Sequence, residues 1–231
     1  AVGPGLTAFG VAGVLADPAL ELYRGSERIA ANTRWNTSSQ EAFTVVENGV
    51  ARTQTWRFPS RGECLACHTP AAGHALAFST RQLNRGPAAP GAPAPLLTAM
   101  AQAGYLDVTT LPDLATLPRL AAADDATASL EFRARSHLDA NCSSCHQPAG
   151  PALGFWDARA TTPLAHAGLV NGALTGGAIG PDRVIVPGDP GHSRLLQRMS
   201  AAGAERMPPV GTRERDTAGE ALIELYEVPS P

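Results

Sequence analysis

Two short stretches constrain this chain more than anything else in it: ECLACHTP at 63–70 and NCSSCHQP at 141–148. Each runs Cys, two spacers, Cys, His. Cys64, Cys67 and His68 form the first, Cys142, Cys145 and His146 the second, and no cysteine is left for other work. Three chemistries use a Cys-x-x-Cys, and they ask different things of its surroundings. A four-cysteine zinc site brings two pairs onto one metal, usually with roughly 15 to 20 residues between them. Cys67 and Cys142 are much further apart, and zinc has no use for the histidine that follows each pair. A redox dithiol wants the pair at a helix start in a βαβ setting, and nothing ahead of Cys64 or Cys142 reads as a parallel strand with a crossover. Covalent haem attachment uses every residue of the motif. Two thiols bond to the vinyl carbons along one haem edge, and the next residue is the first whose imidazole can turn under the ring to iron. The doubled motif therefore predicts two covalently bound haems of the c type, with His68 and His146 as the proximal ligands.

Length, charge and composition bound the alternatives. The chain has 231 residues, room for one large or two small domains. A net charge of -3 gives no basic footprint for nucleic acid, and a charged fraction of 17% argues against a long disordered acidic tail. Aromatics make up only 5%, but haem supplies apolar surface on which a small domain can build a core. The opening AVGPGLTAFGVAGVLADPAL lacks the basic start of a signal peptide and is too broken by Pro4 and glycines to span a membrane. It reads as the processed start, or an internal piece, of a longer protein.

Along the chain, residues 1–36 read as a β-rich segment, with two short strands around RGSE. EAFTVV and VARTQTWRF flank ENG, where Asn48-Gly49 favours a two-residue hairpin turn. PAAPGAPAP is too rich in Pro and Gly for regular structure, and LLTAMAQAGYL has the spacing of a short helix ending near Gly104. After a Pro-broken connection, 126–146 reads as one helix into the second motif, with Leu130, Phe132 and Leu138 available to a core. SRLLQRMS reads as a helix, and DTAGEALIELYEV as a closing helix with Thr217 and Glu220 spaced as a capping box.

That order of helix, haem motif, long loop, MPP and closing helix resembles the class I cytochrome c domain over residues 125 to 228. A longer series, TWRFPSRGECLACHT, QLNR, RARSHLDANCSSCHQPAG, VPGDPGHSRLLQRMS and MPPVG, resembles a bacterial dihaem c-type cytochrome family. Members are often found with sorbosone-type quinoprotein sugar dehydrogenases or with β-rich secreted domains. The resemblance implies a mainly α fold of two cytochrome c-like haem domains with a small β-hairpin region on the N-terminal side. Its divisions are a β-rich segment at 1–36, a first haem domain at 37–124 and a second at 125–231. It implies a periplasmic or extracellular location, since c-type haem is assembled outside the bacterial cytoplasm. The implied partner is a redox protein, either a quinoprotein dehydrogenase or an oxidase-side cytochrome. No quinone-cofactor domain is visible, and oligomers that share ligands between chains stay open.

Class I domains complete the iron with a methionine on a loop after the motif, which points to Met207 in RMPPVG, stiffened by Pro208 and Pro209. Met199 sits at the helical spacing of Leu195 and Leu196 and fits core packing better. For the first haem several sixth ligands stay open: Met100, His74, His137, a residue from another chain, or none. Met100 lies on an apolar helix face, the usual place of a packing methionine. His74 is close enough to His68 that six residues of chain, about 20 Å at full extension, must wrap the haem edge. His166 and His192 lie in loop-like stretches and read as solvent-facing. Two functions follow from that ligand. With both irons six-coordinate the chain is an electron carrier; with one open it is a dihaem peroxidase-like enzyme, needing a distal acid or base for which Arg61, Glu63 and Gln82 are the nearest in sequence.

Overall fold

The computed structural model describes residues 38–47, 49–74, 76, 79–86, 94–106, 111–176, 180–210, 212 and 214–227. Among them the chain is mixed but mostly helical, with one antiparallel hairpin followed by six α-helices. The β-rich segment expected at 1–36, Asn48 and most of the Pro-rich run lie outside the described residues. No helix among the described residues is long and apolar enough to cross a membrane.

The hairpin pairs β1 (Ser39–Glu47) with β2 (Val50–Phe58), Ser39 opposite Phe58 and Glu47 opposite Val50. Two residues join the strands, and the second, Gly49, has φ at 78°, the left-handed conformation such a turn needs. Phe43 and Phe58 meet edge to face with ring centroids 6.3 Å apart, while Val46 and Val50 beside the turn stay exposed.

β2 runs directly into α1 (Arg61–Leu65), which carries Cys64. Ser60 starts the helix with a full capping box: its hydroxyl accepts from Glu63 N–H at 3.3 Å and its own N–H donates to the Glu63 carboxylate at 2.8 Å. α2 (Thr80–Leu83) has a similar start, where Gln82 Oε1 accepts from the Ser79 hydroxyl at 2.8 Å. α3 (Leu96–Gln102) follows the Pro-rich run and ends ahead of Gly104, as its periodicity predicts. Leu83, Leu97 and Leu106 are buried together, with Met100, Leu114 and Leu117 packed against them. Asn84 closes this cluster by donating to the carbonyls of Leu114 and Leu117, both at 3.0 Å.

α4 (Leu130–Cys142) delivers the second motif. It begins later than the run from residue 126 predicts, because Asp125 accepts from both the N–H and hydroxyl of Thr127 and holds a turn there. Ser129 then caps the helix, accepting from Phe132 N–H at 3.2 Å. α5 (Arg194–Ser200) and α6 (Thr217–Glu227) complete the fold. The side chain that caps α6 is Asp216, not Thr217: its Oδ1 accepts from Gly219 N–H at 2.9 Å, and Glu220 turns instead to Arg215. Ala134 and Leu138 of α4, Leu195 of α5, and Leu222 and Ile223 of α6 share one buried core with Leu169 and Ile185 from the intervening loop. α6 comes very close to α4 at Gly219, where an added Cβ would lie 2.3 Å from His137 Cε1. Asp139, 3% exposed, ties the two clusters: Oδ1 accepts from Arg81 Nε of α2 at 3.1 Å and Oδ2 from Ala160 N–H at 2.8 Å.

Candidate functional site

Both motifs fold the same way locally. The end of a helix turns through the two spacers, so that His68 N–H donates to Cys64 O at 3.0 Å and His146 N–H to Cys142 O at 2.8 Å. One helical turn thereby sets both sulfurs and the imidazole at the same corner of each half.

At the first corner His68 Nδ1 lies 2.6 Å from the carbonyl of His74. A carbonyl only accepts, so Nδ1 carries a proton, which leaves Nε2 as the nitrogen able to ligate a metal. The carbonyl is aimed by a tight loop in which His74 takes a left-handed φ of 61° and its N–H donates back to Thr69 O at 3.0 Å. His74 thus orients His68 through its backbone, while its own Nδ1 leans on His68 O at 3.3 Å.

At the second corner the His146 ring stacks on Trp156, with centroids 4.1 Å apart and planes inclined by 25°. Burial, helped by the charge of Arg198, lowers its pKa to about 4. The imidazole is therefore neutral at physiological pH, the form that binds a metal. Burial raises the Cys142 thiol to about 12, and burial together with Cys145 raises Cys67 to about 11. Burial thus disfavours the thiolate at Cys67 and Cys142, which makes these two poor exchange nucleophiles. Among the described residues no three His, Cys, Asp or Glu side chains converge as a metal site made by the protein alone.

A cavity of about 940 Å³ opens at this corner, lined by Cys142, Cys145, His146, Trp156 and Met207. That is the upper end of the roughly 300 to 1,000 Å³ of small-molecule sites. Met207 reaches it from a loop held to α5 by its N–H, which donates to Arg198 O at 2.9 Å, and Pro208 and Pro209 line the same wall. Met199 also borders the cavity but packs against the apolar core. Arg198 lines the cavity too, and its Nε is buried without a hydrogen-bond partner. The residues fit a haem held by thioethers: two thiols and a neutral imidazole at one corner, a thioether on the same cavity, mostly apolar walls, and the half-exposed guanidinium of Arg198, which lies 3.6 Å from Glu205 and keeps a buried Nε without a partner.

The other histidines and polar residues sort as follows. His137 is turned into the same cavity, against Gly219 and 3.9 Å from Asp216. His166 is exposed, and His192 pairs with Asp189 at 2.5 Å. Met100 packs on the Leu83, Leu97 and Leu106 cluster. Glu63 and Gln82 serve as helix caps, and Arg57 with the Ser60 hydrogen bonds holds the Glu63 carboxyl down to about 2. The Arg61 side chain lies outside the described residues. Trp156 and Arg198 are not legible as site residues in the sequence, since only the fold brings them to His146. The fold also brings the motifs themselves together: Cys67 Sγ and Cys145 Sγ are 3.5 Å apart, and Ala66 O is 3.8 Å from Cys145 Sγ.

No family model matches the chain, nor does any curated protein or solved structure.

His137 gives this site a pH dependence. Burial holds its pKa below the ordinary 6.5, against the opposing pull of Asp216. A histidine kept neutral by the fold contributes stability above its unfolded pKa, and that contribution is lost as pH falls below about 6.5 toward the lower folded value. Urea midpoints should therefore drop between pH 7.5 and 5.5, and His137→Gln should flatten part of the drop.

Proposed function

We propose that this chain is a dihaem c-type cytochrome, an electron-transfer protein working between redox partners outside the cytoplasm. Its two cytochrome c-like domains would be residues 37–124 and 125–231. The observation that carries the reading is that each Cys-x-x-Cys ends in a histidine whose ring is held in place by its own half of the chain. At His68 the carbonyl of His74 orients the ring through Nδ1, and at His146 burial and the Trp156 ring hold the imidazole neutral.

Bound haem would supply reversible one-electron chemistry at iron. The chain's own residues then have distinct tasks. Cys64 and Cys67, and likewise Cys142 and Cys145, would hold the ring by covalent bonds, so that it could not dissociate between electron transfers. His68, through Nε2, and His146 would be the histidine ligands to iron. Met207 offers the thioether for the second site, and Pro208 and Pro209 limit its freedom to swing away. Arg198, which lines the cavity and also faces Glu205 at 3.6 Å, would offer its unpartnered Nε to a carboxylate of the bound group. Of the three candidates for a distal acid or base, Arg61, Glu63 and Gln82, the latter two are engaged as helix caps, which supports a carrier over a peroxidase-like enzyme. The partner class follows the resemblance: a redox protein such as a quinoprotein dehydrogenase or an oxidase-side cytochrome.

Extraction of the purified protein with acidified acetone tests the covalent link. The red pigment should stay with the polypeptide; pigment that passes wholly into the solvent would overturn the reading.

A further inference from the structure

We propose that the sulfurs of Cys67 and Cys145 form the internal junction through which an electron passes between the two halves of the chain. The proposal rests on reading both motifs as haem attachment sites. These sulfurs belong to the second cysteine of each motif, the one beside the histidine, and they lie 3.5 Å apart, at van der Waals contact. Ala66 and Cys67 also line the cavity that holds Cys142, Cys145 and His146, so the first motif is part of the wall of the second site.

The contact is fastened from both sides. Arg81 of α2 is bonded to Asp139 of α4 at 3.1 Å, three residues before Cys142 on the same helix. Ala121 N–H donates to Ser136 Oγ of α4 at 3.0 Å, which pins the connection between the halves to that helix. Each of these sulfurs would be covalently bonded to its own ring, so the two attachment points would meet with no solvent or intervening side chain between the sulfurs. With haem bound at both motifs, an electron given up by one site, ferrous to ferric, would reduce the other, ferric to ferrous; no proton or atom would move, and a one-electron donor outside the chain would restore the site that gave it up.

Two measurements on the wild-type holoprotein test this, after intact mass has counted the haems. The first is electron paramagnetic resonance during stepwise reduction. The ferric signal that remains after the first electron should narrow relative to the fully oxidised protein, because its paramagnetic neighbour has gone. The second is flash photoreduction. Reduction of one site should be followed by internal transfer at a rate independent of protein concentration. Unchanged line shapes together with a transfer rate proportional to concentration, in a protein that carries two haems, would overturn the junction and leave the proposed function standing. Fewer than two haems per chain would overturn both.

Discussion

Cys142→Ala combined with Cys145→Ala is expected to cost the C-terminal half its cooperative folding, not merely its colour. The core of that half, with Leu138, Leu195, Leu222 and Ile223, meets a cavity of about 940 Å³ at Leu195. Unfilled space in a core costs about 24 cal/mol per Å³, so even a tenth of that volume left empty amounts to about 2 kcal/mol. Against a total of about 5 to 15 kcal/mol for a domain, that is a large share of what holds this half together. The double variant should show half the pigment and a broad, non-cooperative thermal transition by circular dichroism. An unchanged, sharp transition would mean that the cavity is supported by the protein alone.

Met207→Ala should act on the second site without unfolding it. Loss of the thioether removes the ligand that favours reduced iron, so the midpoint potential of that site should fall. The weak sulfur-to-iron band at the red end of the oxidised spectrum should vanish, and imidazole or cyanide should bind where it did not before. Met199→Ala makes the contrast. That side chain packs on the core, so its removal should leave band and potential in place and lower stability by about 2 kcal/mol or more. The opposite pattern, with the band lost only in Met199→Ala, would move the ligand to α5.

What was legible in the sequence was whatever is written locally. The Cys-x-x-Cys-His spacing fixes the corner at each helix end, because one helical turn is enough to set it. Asn48-Gly49 between alternating strands fixes the hairpin and its register. The short capping box at Ser79 and Gln82 leaves no such trace, since four residues of helix show no periodicity. The run from residue 126 predicts too early a start for α4 because Asp125 and Thr127 form a turn that competes with helix. The spacing of Thr217 and Glu220 predicts the cap of α6 one residue late for a similar reason: Asp216 and Thr217 are both good caps, and only the observed bond to Gly219 chooses between them. Contacts between distant parts of the chain were not legible at all. Trp156 reaches His146 because the loop after the motif folds back, with Ala158 N–H donating to His146 O at 2.9 Å. Arg198 reaches the same cavity from a separate helix. Cys67 and Cys145 meet across 78 positions, through a docking that depends on the buried carboxylate of Asp139 and is visible only in three dimensions.

The most direct test of the central claim is the intact mass of the purified, denatured protein. Two haem additions on the polypeptide are predicted, and digestion should place one on the peptide with Cys64 and Cys67 and the other on the peptide with Cys142 and Cys145. A mass equal to the bare chain, or to the chain short of four hydrogens as two disulfides would leave it, would contradict the account.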